Sequence, residues 1–218
     1  MYESVQDQDF IIVSVAMDVD IEAARPWVEA ASPTFVTLID RQHLLSERYN
    51  MVNVPQAVWI DENGQVVRPT ETGGSIDILQ EFDMQARAFK PEAQARAQKA
   101  KTAYLDAVKD WAIHGKTSPH VMNPDQARTH VPQMTNDVAE AHVYFRLGLV
   151  LLKEGREEEA ARWFNKSRNL HPDSWNIFRE TSEKLENGIA GGEEFWQKVM
   201  SLGDKAYYEP IAMDGLPD

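Results

Sequence analysis

The chain has 218 residues, with 22 Lys+Arg against 35 Asp+Glu, a formal net charge of -13, 43% hydrophobic residues and no cysteine. That charge excludes a sequence-independent grip on phosphate backbones, so no nucleic-acid partner is expected, and no stretch approaches the roughly 20 apolar residues of a membrane span. The absence of thiols excludes disulfides, Cys-ligated zinc or iron–sulfur clusters and cysteine nucleophiles, and no cofactor is indicated.

The first nine residues are acidic and polar, without the basic start of a secretory signal, and the cytoplasm is the expected compartment. Phe10 to Met17 is a short apolar run rich in β-branched residues, which predicts a buried strand of a sheet covered on both faces. Ile21 to Ala31 follows as a helix, with Ala23, Trp27 and Ala31 four apart and Pro26 early enough to be tolerated. Thr34 to Asp40 is extended and Gln42 to Tyr49 helical. Ala57 to Ile60, Asp61 to Gly64 and Gln65 to Val67 then predict strand, tight turn and strand, with Asn63 and Gly64 both able to take positive φ. Alternating strand and helix signals indicate an α/β layer structure.

The run Thr37-Leu38-Ile39-Asp40, followed by Leu45 to Val67 with Val54-Pro55 at its centre, resembles the second half of a thioredoxin-fold domain of the TlpA/ResA-like redoxin type. The resemblance covers roughly residues 2 to 90. It implies a Val54-Pro55 peptide of the usually cis kind, whose preceding backbone meets a bound thiol partner in that family, so Val54 and Pro55 are candidate binding residues. It also implies that the central strand and the redox Cys-x-x-Cys would fall upstream of Met1. The expected fold is thus an α/β thioredoxin-like domain lacking its first strand or strands. The segment Ala23 to Ala31 further resembles a ResA-like group with a Trp-Ala-x-Ser-Asp type motif where the cysteines would stand. Loss of that strand would leave apolar sheet edges unpaired, a route to homo-oligomers.

Residues 1 to 70 carry 4 basic and 11 acidic side chains, residues 71 to 114 carry 6 and 7, and residues 115 to 218 carry 12 and 17, so a nearly neutral, Ala-rich middle separates two acidic ends. Ile76, Leu79, Phe82, Ala86 and Phe89 recur at intervals of three and four, predicting an amphipathic helix from Ser75 to Phe89. Pro91 opens another helix, with Tyr104, Val108, Trp111 and Ala112 as its stripe, before His114-Gly115 closes it. Residues 116 to 136, with three prolines, suggest a linker or irregular wrap.

Between Ala141 and Pro172 the pattern Tyr144, Leu147, Gly148, Leu151, Ala160, Phe164 and Pro172 resembles a tetratricopeptide (TPR) repeat, matching positions 4, 7, 8, 11, 20, 24 and 32 of its 34 residues. Ser167 takes the remaining consensus place. The pattern predicts two antiparallel helices brought close by Gly148 and Ala160, with Tyr144, Leu151 and Phe164 filling the space between them. Ser174 to Glu186 is expected as a capping helix, Glu193 to Leu202 as a short helix, and Ala206 to Ile211 as a docked tail. One repeat cannot bury its own faces, so it must pack on other parts of the chain. The implied plan is a partial thioredoxin-like domain (1–90), a connecting helix (91–115), an irregular linker (116–136), a TPR-like all-α region with its cap (137–187) and a C-terminal helix and tail (188–218).

No residue pattern indicates catalysis. The six histidines, His43, His114, His120, His130, His142 and His171, show no metal-ligand spacing and are expected to be solvated or incidental. Asp18 and Asp20 suggest a turn and helix cap, Glu154 to Glu159 an inter-helix turn with an acidic helix start, and the six tryptophans core anchors. Two functions remain. One is a non-catalytic scaffold that holds a protein or peptide on its helical repeat. The other is a thiol-disulfide oxidoreductase or peroxiredoxin-type redoxin with its Cys-x-x-Cys upstream of Met1. The residues present favour the scaffold.

Overall fold

The computed structural model describes residues 1–216. In chain order the elements are β1 (Val13–Ala16), α1 (Ile21–Ala31), β2 (Val36–Ile39), α2 (Leu44–Tyr49), β3 (Gln56–Ile60), β4 (Val66–Thr72), β5 (Phe82–Asp83), β6 (Ala88–Phe89), α3 (Pro91–His114), α4 (Pro124–Thr129), α5 (Asn136–Lys153), α6 (Glu157–Leu170), α7 (Trp175–Thr181) and α8 (Glu193–Met200). The strands form three separate two-stranded ladders, β1–β2, β3–β4 and β5–β6, and no pairing joins them among the described residues. The chain is therefore a mixture of helix and small sheets with a helical region. It does not build the continuous layered sheet that alternation suggested.

Two compact units divide the chain. The first comprises Met1–Ile12, Pro55–Val131 and Trp196–Asp218, and the second Val13–Val54 and Pro132–Phe195. The units cross the boundaries inferred from sequence: residues 13–54 group with α5, α6 and α7, whereas 55–90 group with α3 and the tail.

In the second unit, β1 and β2 pair in parallel with Val13 opposite Val36 and Ala16 opposite Ile39, and α1 is the crossover that a parallel pair requires. Asp20 caps α1 by accepting from the Glu22 N–H at 3.0 Å, and Pro26 lies inside the helix, which continues five residues beyond it. The expected buried strand is shorter and wetter than its composition suggested: Ile11 is 62% and Val13 52% exposed. Trp27 is 61% exposed on α1, so it is not a core anchor.

The rest of the second unit is a helical hairpin, α5 and α6, followed by α7. Thr135 caps α5, Gly155 at φ +75 turns the chain, and three glutamates open α6 where the helix dipole favours them. The capping helix is limited to Trp175–Thr181, started by the Ser174 hydroxyl accepting from the Ile177 N–H. Arg168 ties α6 to α7 through the Thr181 hydroxyl at 2.6 Å and lies over the Phe178 ring.

In the first unit, β3 and β4 form an irregular antiparallel hairpin. Gly64 takes φ +75 while Asn63 keeps negative φ, because the Asp61 carboxylate accepts from the N–H groups of Asn63 and Gln65 and makes the turn itself. α3 follows the sequence reading, with Pro91 at its first turn and Gly115 at its end. Its residues Tyr104, Ala107 and Val108 form a buried core with Trp59 of β3. Trp111 stacks on Trp59 at 4.9 Å, with Phe10 edge-on to it at 5.8 Å.

Two expectations fail in this unit. The Ser75 to Phe89 helix is replaced by a 3-10 turn at Leu79–Glu81 and the β5–β6 hairpin. Asp83 accepts from the N–H groups of Gln85 and Ala86, which bends the chain back, and Phe82 packs on Phe89 and stacks on Trp196 at 4.7 Å. The 116–136 segment is also not featureless. It carries α4, started by an Asn123–Gln126 capping box, and it is held to β4 where the Met122 N–H donates to the Val67 carbonyl.

Candidate functional site

The helical hairpin brings most of the repeat-like residues together. Gly148 lets the Phe164 ring approach so closely that an added Cβ would stand 2.4 Å from it. Ala160 is fully buried, Leu151 nearly so, and the Ser167 hydroxyl crosses to donate to the Ala141 carbonyl at 2.7 Å. Leu147 is half-buried on α5, and Pro172 is exposed two residues beyond α6. Tyr144 does not fill the interior. Phe145, at 1% exposure, takes that place against Phe164, while Tyr144 turns outward, donates to Glu140 and packs on Trp163 at 5.0 Å. Lys166 holds its ammonium 4.4 Å from the Trp163 ring centroid and 5.6 Å from that of Tyr144.

The outward face of α5 carries a further feature. Val143 and Val150 are 53% and 54% exposed, and Leu147 lies between them at the i, i+4, i+7 spacing of one helical face. This apolar stripe runs beside the Tyr144–Trp163–Lys166 platform.

Val54 and Pro55 fall on either side of a crossing between the two units. Val54 is 38% exposed, and its N–H donates to the Asn53 side chain at 2.9 Å. The Pro55 carbonyl accepts from the Gly73 N–H at 3.1 Å. The segment before them is clamped by the start of α7: the Val52 carbonyl accepts from the Trp175 and Asn176 N–H groups, and the Met51 carbonyl accepts from the Asn176 amide at 2.6 Å. The backbone around this proline is thus engaged internally.

Three histidines expected to be solvated are buried in the second unit: His43 and His142 at 2% exposure, His171 at 8%. His43 begins α2 in a left-handed conformation and lies on the Phe145 ring at 4.9 Å, and His142 meets His171 edge-on at 5.8 Å. Neither ring nitrogen of His43 has a hydrogen-bond partner, although the nearby Met17 backbone slightly favours its charged form. Burial pushes its pKa down to about 4, with Asp40 opposing and Lys184 and His142 reinforcing. His142 is also pushed down to about 4, by burial and then by His171 and Arg146, against the pull of Glu47. Arg146 pairs with Glu47 beside it. No signal in the sequence marks these rings, because a histidine inside a helix or at its end looks the same whichever way it faces.

The acidic pair after β1 is divided. Asp20 caps α1, whereas burial raises the pKa of Asp18, with Lys184 opposing; burial also raises that of Glu180, with Lys184 opposing and Asp18 reinforcing. Among the described residues there is no group of three His, Cys, Asp or Glu placed to hold a metal ion, and no helix is long and apolar enough to cross a membrane.

No family model, no curated protein and no solved structure matches the chain. The functional reading therefore rests on the geometry of its own residues.

Proposed function

We propose that the chain is a non-catalytic protein-interaction module, a thioredoxin-like portion of the TlpA/ResA type joined to a TPR-like helical hairpin that takes a partner helix or peptide. The observation that carries this reading is the exposed pair Val143 and Val150 on α5, with the half-buried Leu147 between them, next to the Tyr144–Trp163–Lys166 platform. A row of aliphatic side chains at helical spacing is the complement of an amphipathic helix, and the aromatic pair with its cation suits a carboxylate-bearing or aromatic flank. Packing between α5 and α6 leaves Val143 and Val150 more than half exposed. In this reading Val54-Pro55 marks the fold and takes no part in thiol chemistry.

The test is cross-linking and capture from native lysate with the full chain and its Val143→Glu/Val150→Glu variant. Both positions are more than half exposed, so the fold tolerates the change. Loss of a specific retained protein is the expected result. An identical retained set from both proteins, or insulin reduction by the chain itself, would overturn the reading.

A further inference from the structure

The second unit buries His43 and His142 where the charged form of either ring would lack a counter-ion of its own. His43 stands just before α2 at φ +53, on the Phe145 ring of α5, and neither of its ring nitrogens has a hydrogen-bond partner. Each carboxylate that faces the pair is already engaged. Asp40 faces His43 but accepts from the N–H groups of Gln42 at 3.2 Å and Leu45 at 2.6 Å. Glu47 faces His142 from α2 but pairs with Arg146. Glu180 pairs with Lys184 at 3.4 Å, and the same ammonium faces Asp18.

The remaining neighbours are cationic or become so. Lys184 and His142 oppose charge on His43, and His171 and Arg146 oppose it on His142, while Asp40 and the Met17 backbone favour a charged His43. A proton on either ring thus creates a buried cation beside other cations, with N–H donors that nothing accepts. Opening to water removes that penalty.

The segment that covers the rings is short and held at a few points. α2 has six residues, with left-handed backbone at His43 and Asn50 on its two sides. Beyond it, the Asn176 amide donates to the Met51 carbonyl, and the Trp175 and Asn176 N–H groups donate to the Val52 carbonyl. The α5–α6 hairpin closes on itself without this segment, through the Gly148–Phe164 approach and the Ser167 bond to Ala141.

We propose that His43 and His142 form a proton-operated latch, in which mild acid releases residues 40–54 from α5 and α7 while the α5–α6 hairpin stays closed. The latch is independent of the Val143–Val150 surface. With both rings near 4 when closed and 6.5 when open, the open state takes up protons below pH 6.5, and the preference for closure is lost as pH falls toward 4. At pH 5 each ring that reaches water multiplies the open population about 30-fold.

Amide exchange of the full chain, read by mass spectrometry at pH 7 and pH 5 with each rate divided by that of the unfolded peptides at the same pH, tests this. Protection of residues 44–54 should fall at least about tenfold at pH 5 and return at pH 7, while residues 145–151 and 160–167 change less than about twofold. His43→Leu removes one titrating ring, and Arg146→Met frees Glu47 to balance His142. Each should shrink the pH 7 to pH 5 ratio at residues 44–54 at least about threefold, a ratio taken within one protein so that altered basal stability cancels. An equal loss of protection in residues 44–54 and in the hairpin, or no loss in either, overturns the proposal without recourse to a variant. So does an unchanged ratio in both variants.

Discussion

Trp59 Nε1 donates to the Tyr104 hydroxyl at 2.8 Å, joining β3 to α3 at the centre of the first unit's core. Both residues are 3% exposed, and burial raises the tyrosine pKa with Glu71 reinforcing. Tyr104→Phe leaves the indole N–H buried without its acceptor, which costs about 1–3 kcal/mol. Urea unfolding followed by tryptophan fluorescence should show a lower midpoint at unchanged slope.

Gly148→Ala sets two effects against each other. Alanine gains up to about 1 kcal/mol of helix propensity, but its Cβ would stand 2.4 and 2.5 Å from two atoms of the Phe164 ring. Overpacking of that kind costs about 1–3 kcal/mol, so the variant should be less stable. Gly148→Ala/Phe164→Leu, which removes the ring, should recover part of the loss. Thermal unfolding of the single and double variants decides the matter.

Acid should destabilise the second unit well above the carboxylate range. His43 and His142 have folded pKa values near 4 against 6.5 in the unfolded chain, so between those values the unfolded chain binds the extra protons. The stabilisation is complete above pH 6.5 and is lost as pH falls toward 4, to a limit of about 3 kcal/mol for His43. Asp18 and Glu180 act in the opposite sense, since burial raises their pKa values and protonation then favours the folded state. His43→Leu should flatten the slope of unfolding free energy between pH 6.5 and 5. An unchanged slope would place the acid sensitivity elsewhere.

Asn176→Ala removes the amide that serves the Met51 carbonyl and approaches the Ser46 hydroxyl at 3.3 Å. The site is buried, and the expected cost is about 1–3 kcal/mol. Amide exchange should accelerate selectively at residues 50–54, ahead of global unfolding.

The parts of the fold that local chemistry controls were legible in the sequence. α1 and α3 begin and end where Asp20, Pro91 and Gly115 place them, and Gly148 and Ala160 announced the close approach of α5 and α6. The failures came from partners far along the chain. Phe82 and Phe89 fit a helical period equally well, but Asp83 bends the backbone and Trp196, more than a hundred positions away, supplies the ring that Phe82 stacks on. Tyr144 and Phe145 are adjacent, and only the packing of α6 decides which faces inward. Of the candidate sites, the repeat-like residues were visible as a pattern. The hold of Arg68 on the tail was not, because Arg68 and Ala212 are 144 positions apart.

The chain passes between its two units four times, after Ile12, Val54, Val131 and Phe195. Neither unit is a continuous stretch of polypeptide, so neither can be excised as a genetic fragment or closed early during synthesis. The first 54 residues emerge long before the helices that bury His43 and clamp Val52. The β3–β4 hairpin likewise waits for Ile211 and Met213. Each core can therefore close only once its last segment has emerged, the one ending at Phe195 for the second unit and the one that follows it for the first, and stays open to chaperones or to neighbouring copies until then.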